Sequence, residues 1–194
     1  MDMKKDHKSL LQSSVQENDF NELLVLLRQP LSKQHILMIA SLVEKRPDLL
    51  QHVFEVIRSK NQKDAMRASW LLSHLWDRSP QLLRPFQHEL TELLFQTDSD
   101  SVRRNILRIL DGMPVNESDM GNLIDVCMQW MLSENHAIAV RCNAMQILFR
   151  ICQVEPDLSG EVKACILALN DYGSAGFKSR TNKIVKQLKA LQPD

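Results

Sequence analysis

Asp64-Ala65-Met66-Arg67-Ala68 returns as Asp100-Ser101-Val102-Arg103-Arg104, and again as Ala137-Ile138-Ala139-Val140-Arg141. In each copy a short polar turn leads into an apolar residue followed by arginine. Downstream, apolar residues recur at three- and four-residue spacing: Leu71, Leu72, Leu75, then Ile106, Leu107, Leu110, then Ile147, Leu148, Ile151. That period puts them on one face of a helix. Arg67, Arg103 and Arg141 stand 36 and 38 residues apart, and Ser179-Arg180-Thr181 is a weaker copy 39 residues on. Towards the N-terminus the marker is degenerate, with Gln34-His35-Ile36 in its place.

A second marker runs in phase with the first. Pro47-Asp48-Leu49-Leu50 recurs as Pro80-Gln81-Leu82-Leu83 and as Pro156-Asp157-Leu158, at intervals of 33 and then 76 residues, the latter two units of 38. The missing copy belongs near Ser118-Asp119, where a helix starts without proline, and Pro193-Asp194 closes the series. Two markers at this period describe a helix–turn–helix unit stacked about five times. One such pair exposes an apolar face on each side and needs neighbours to bury both.

The punctuation predicts about ten helices: 16–28, 32–45, 47–59, 62–77, 80–96, 100–111, 118–132, 135–153, 156–170 and 174–191. Pro47, Pro80 and Pro156 suit first helical positions, where the missing N–H costs nothing. Ser32, Asp100, Ser118 and Ser174 are the expected N-caps, and Gly112 and Gly173 the expected sites of positive φ. No window alternates with period two, so the expected fold is all-α. Residues 1–15 read as a polar extension and 16–194 as a single repeat domain.

Composition narrows the function classes. The 194 residues carry 24 Lys plus Arg against 24 Asp plus Glu, a net charge of zero, which argues against a protein built to coat nucleic acid or an anionic membrane. Five glycines leave little material for phosphate loops. The N-terminus is polar and no segment approaches the roughly 20 apolar residues needed to span a bilayer, so a soluble, cytoplasmic protein is expected. Cys127, Cys142, Cys152 and Cys165 contain no C-x-x-C pair and lie among apolar helical neighbours, the setting of buried reduced thiols. The six histidines form no H-x-x-x-H or H-E-x-x-H pair, and Asp98-Ser99-Asp100 lacks the Gly and Glu of a calcium loop. Gly173-Ser174-Ala175-Gly176 misses the nucleophile elbow by one residue. No metal, cofactor, small-molecule substrate or catalytic constellation is expected.

On the three arginine-bearing segments quoted first, the chain resembles the HEAT-repeat family, within the broader armadillo-like superhelices. The resemblance implies a right-handed α-α superhelix, a solenoid of about five helical hairpins, with second helices lining the concave face. It also implies that Arg67, Arg103 and Arg141 form a structural ladder, each pairing with an acidic group or a helix C-terminus of a neighbouring repeat. The competing reading makes them part of a basic stripe that contacts a partner.

Charge sorts by helix towards the C-terminus. The helix predicted over 174–191 carries Lys178, Arg180, Lys183, Lys186 and Lys189, whereas that over 118–132 carries Asp119 and Asp125 with no Lys or Arg. A solenoid so built has a positive concave face despite zero net charge. Trp70 and His74, four residues apart, share a helix face, and Arg67 one turn earlier is placed to stack on Trp70. The expected function is a non-catalytic protein–protein scaffold or adaptor, its partner a protein or peptide on the concave face. The candidate contacts are Arg67, Trp70, His74, Arg103, Arg104, Arg141, Lys178 and Lys183. The alternative is nucleic-acid binding by the same basic groove. The chain is similar there to DNA-alkylation-repair glycosylases, which use Trp, Asp and Arg on a HEAT-like concave face. No residue here maps onto their catalytic Asp: Asp77 lies about two turns past Trp70.

Overall fold

The computed structural model describes residues 17–169 and 173–191, and the expected extension over 1–15 lies outside them. Among the described residues there are ten α-helices and no strand. They are α1 (17–28), α2 (Lys33–Lys45), α3 (Leu50–Arg58), α4 (Gln62–Arg78), α5 (Gln87–Gln96), α6 (Asp100–Asp111), α7 (Glu117–Leu132), α8 (Ile138–Cys152), α9 (Ser159–Ala168) and α10 (Ala175–Lys189). No helix among these residues is long and apolar enough to cross a membrane.

The helices alternate as first and second members of hairpins, and the chain divides into two compact units, 1–85 and 86–194. In the first unit α3 folds back on α4, and the second helices α2 and α4 pack side by side. In the second unit the hairpins are α5/α6, α7/α8 and α9/α10, and α8 packs between α6 and α10. Each second helix buries the apolar stripe that its sequence period announces. Ala65, Ala68, Leu71, Leu72 and Leu75 do so on α4, and Val102, Ile106, Leu107, Ile109 and Leu110 on α6. Each buried Leu or Ile is worth about 1.5–3 kcal/mol relative to exposure, so the stripes supply the main drive for stacking.

Several predicted boundaries are corrected. Pro47, Pro80 and Pro156 do open their segments, but each opens one turn of 3₁₀-helix, Pro47–Leu49, Pro80–Leu82 and Pro156–Leu158. The expected helix 80–96 breaks further, into a second 3₁₀ turn at Arg84–Phe86, and α5 starts only at Gln87. Pro85 explains this: it has no N–H to donate, and its ring crowds the preceding turn. The eighth helix starts at Ile138 and not at 135, because His136 and Ala137 before it are bonded to Asp100 of the neighbouring repeat.

Two of the four expected N-caps are as read. Ser32 accepts from the His35 N–H and Ser174 from the Phe177 N–H. Asp100 is instead the first residue of α6, after Ser99, and α7 is capped by Asn116, whose side chain accepts from the Ser118 N–H. Gly173 has φ +106°, whereas Gly112 sits at −87° and needs no glycine freedom. Cys127 and Cys152 are buried, Cys142 and Cys165 only half-buried, and all four are free thiols. Burial pushes the Cys127 thiol far up from its ordinary range.

Candidate partner-binding surface

The marker arginines face the stack. Arg67, half-buried near the start of α4, donates through NH1 to the carbonyls of Leu27 at 2.6 Å and Gln29 at 3.0 Å, closing the C-terminus of α1. A cation there satisfies carbonyls that the helix leaves unpaired and complements the helix dipole. Its guanidinium is therefore turned to these carbonyls and not onto Trp70. Arg141 is buried, and its Nε donates to the Met131 carbonyl at 3.1 Å, the same closure within its own hairpin. Its guanidinium carbon lies 4.6 Å from the Phe177 ring centre on α10. Arg103 bonds Asp100 at 3.2 Å, lies near Asp98 and stacks 4.9 Å over the Trp130 ring.

The degenerate marker turns out to do the same job. His35 Nε2 donates to the Leu26 carbonyl at 2.8 Å, nine residues back, as Arg141 reaches Met131 ten residues back. Further cross-links were not singled out from the sequence. Arg78 forms a paired contact with Glu44 at 2.8 and 3.1 Å, and Arg46 joins Asp19 at 2.6 Å and Asp48 at 2.9 Å. The bond from Arg46 holds the Asp19 carboxyl below its usual range. The signal for these was available: Arg46 and Arg78 stand immediately and two residues before the repeated prolines.

Of the other candidate contacts, Trp70 and His74 are half-buried on α4 with ring centres 5.4 Å apart, and His74 Nδ1 lies 3.8 Å from Asp77. Arg104, Lys178 and Lys183 are exposed. Arg104, on α6, and Lys178 and Lys183, on α10, belong to the second unit, where the outward faces of α6, α8 and α10 are tied together. Asn143 on α8 donates to the Arg104 carbonyl at 3.1 Å, and Arg180 on α10 donates to the Gln146 side chain at 3.2 Å. Arg104, Asn143, Gln146 and Arg180 thus form one strip across three helices. Arg108, one turn past Arg104, is exposed as well.

Charge on this unit is segregated. The second helices α6, α8 and α10 carry three, two and five basic residues, and the only acids among them are Asp100 and Asp111. The first helices α5 and α7 carry Glu89, Glu92, Glu117, Asp119 and Asp125 with no Lys or Arg, and α9 has Glu161 against Lys163. Such a face attracts anionic groups at close range although the chain as a whole is neutral. Among the described residues no group of three or more His, Cys, Asp or Glu is placed to hold a metal. The second unit's pocket lined by Gln87, Thr91, Asn116, Asp119 and Arg150 and its apolar neighbour near Met128 and Cys152 admit little more than a water each, at about 20 and 40 Å³.

Comparison with known proteins agrees with the repeat period. The family model described as HEAT repeat domain matches residues 24–188, so it runs through both compact units. No curated protein matches the chain.

Proposed function

Since this chain belongs to the HEAT-repeat family, we propose that it is a non-catalytic scaffold or adaptor that binds a protein partner on the outward face of its second helices. HEAT repeats generally mediate protein–protein interactions and are typically non-enzymatic. The observation that carries the reading is the division of labour among the cations. Arg67 and Arg141 bond the carbonyls of neighbouring helices and Arg103 stacks on Trp130, while Arg104, Lys178 and Lys183 stay exposed on a face almost free of acids. A residue kept charged and solvated serves an encounter better than one buried in a cap.

The test is site-specific photo-crosslinking. A photoreactive residue replaces Asn182, exposed on α10, or Asp125, exposed on the acidic helix α7. Protease-sensitive adducts formed in native extract from position 182 and absent from 125 are expected. Equal labelling from both positions, or none, sinks the proposal. Adducts destroyed by nuclease would move the assignment to nucleic acid, the reading that the same basic face otherwise favours.

A further inference from the structure

We propose that residues 9–16, which precede the described helices, dock back on the outer side of α1 and α2 and cap the first hairpin through Leu10, Leu11 and Val15.

A stack of repeats has two end faces, and each needs a polar outer surface. The last described helix meets that need. On α10 Phe177, Ile184, Val185 and Leu188 are buried, and the exposed positions include Lys178, Lys183, Lys186 and Lys189. The first hairpin does not meet it. On α1 Val25 is 60% exposed and Leu26 half-buried, and on α2 Met38 is 51% exposed and Leu42 half-buried. Leu31, in the turn between the two helices, is 45% exposed.

These side chains belong to one surface. Val25 and Leu26 follow Glu22 by three and four residues, and Leu42 follows Met38 by four, so each set runs along one side of its helix. Glu22, Leu26 and Leu42 line one small cavity together, which joins the two sides. Other sides of the hairpin are occupied. Phe20 on α1 faces His52 on α3 with ring centres 5.9 Å apart, and Arg78 on α4 bonds Glu44 and the Leu37 carbonyl of α2. No described repeat precedes the first hairpin to cover the remaining one.

The adjoining segment has the chemistry and the reach to do so. Between Lys8 and Glu17 its large apolar residues are Leu10, Leu11 and Val15, set among Ser and Gln. It can therefore cover an apolar surface and still present a polar one to water. Lys4, Lys5 and Lys8 come before it, whereas α1 opens with the exposed Glu17 and Glu22 and has no Lys or Arg before Arg28. The charges are complementary. Leu11 stands six residues before Glu17, a reach of up to about 20 Å in extended chain. The twelve residues of α1 span about 18 Å, so that reach takes in Val25. So short a tether holds the segment at an effective concentration in the millimolar range, ahead of a free partner of like composition.

Photo-crosslinking on the purified full chain tests this. A photoreactive residue replaces Met38, or Asp125 as a control, and adducts are mapped residue by residue by mass spectrometry. Position 38 is expected to label residues 9–16, and position 125 is not. Leu10→Ser, Leu11→Ser and Val15→Ser together should cut that labelling at least about fivefold, whereas Leu10→Met with Leu11→Met should keep it. In the chain that retains Met38, the triple serine variant should speed oxidation of Met38 by peroxide at least about threefold. Circular dichroism checks that the helices remain. Mixing isotopically light and heavy protein separates labelling within one chain from labelling between copies. Light-to-heavy adducts would give the face to a second copy, and adducts to another protein in native extract would give it to a partner; either overturns the proposal. So would no labelling of residues 9–16, or labelling and oxidation indifferent to the serine substitutions. Crosslinking from position 182 decides the partner reading separately.

Discussion

Asp100, the first residue of α6, accepts a hydrogen bond from Nδ1 of His136 at 2.9 Å, across one full repeat of 36 residues. It also accepts the backbone N–H of Ala137. Ala137 is the N-cap of α8, and its own backbone N–H, which the helix leaves without a partner, is satisfied by the neighbouring repeat. Asp64, at the matching place in the sequence motif, looks the other way: it accepts from Arg28 at 2.7 Å, 36 residues earlier. Its helix is already capped by Asn61, whose side chain takes the N–H groups of Lys63 and Asp64. The same motif residue thus serves whichever neighbour lacks a partner.

The Asp100 carboxyl has a pH signature. Burial pushes its pKa up, but the Ala137 N–H, His136 and Arg103 outweigh that and hold it below the usual range, and Asp98 is the other charge facing Arg103. A carboxyl with a depressed folded pKa contributes stability above its unfolded value, about 3.9, and loses it as pH falls through the folded value. Asp100→Asn should cost about 1–2 kcal/mol at pH 7 in urea denaturation. The gap between variant and parent should close as the pH is taken below about 4. A gap independent of pH would show that the carboxylate charge plays no part.

Arg141→Lys should destabilise more than its conservative appearance suggests. Lysine lacks the planar group that both donates to Met131 and lies over Phe177. A loss of about 2–3 kcal/mol is expected by thermal or urea unfolding, against less than about 0.5 for Arg104→Lys, whose side chain is exposed. Equal effects at the two positions would remove the distinction between ladder and surface arginines.

Two glycine substitutions should move stability in opposite directions. At Gly173, φ is +106° and a Cβ would meet Phe177 Cδ1 at 2.8 Å, so Gly173→Ala should cost about 1–2 kcal/mol. At Gly121, inside α7, a Cβ would meet nothing within 4 Å, and Gly121→Ala should stabilise by about 0.5–1 kcal/mol. Melting temperatures of the two variants check both signs.

Thiol reactivity should split in pairs. Cys142 and Cys165 are half-buried and should react with a thiol reagent in the native protein, and Cys142 more slowly than an exposed thiol because burial raises its pKa despite Arg180 and Arg141 nearby. Cys127 and Cys152 are buried and should react only on unfolding. Mass-resolved labelling with and without denaturant distinguishes them, and fast native labelling of Cys127 would contradict the packing of α7.

The amino-acid sequence by itself determined the repeat, the helices and their alternation, because a 3.6-residue apolar period and a recurring marker are local properties that one chain displays without being folded. It also determined that positive charge gathers on the second helices of the C-terminal half. What it could not decide is the use of each charged residue. Arg67, Arg103 and Arg141 are equivalent in the motif, yet one closes the preceding hairpin, one bonds Asp100 and stacks on Trp130, and one closes its own hairpin. Arg104 differs from Arg103 by one position and is exposed. One residue is 100° of helical turn, enough to move a guanidinium from a packed seam to water. Which seam holds an unpaired carbonyl or N–H is fixed by the neighbouring repeat, so only the tertiary structure separates the cations that hold the stack from those that stay exposed.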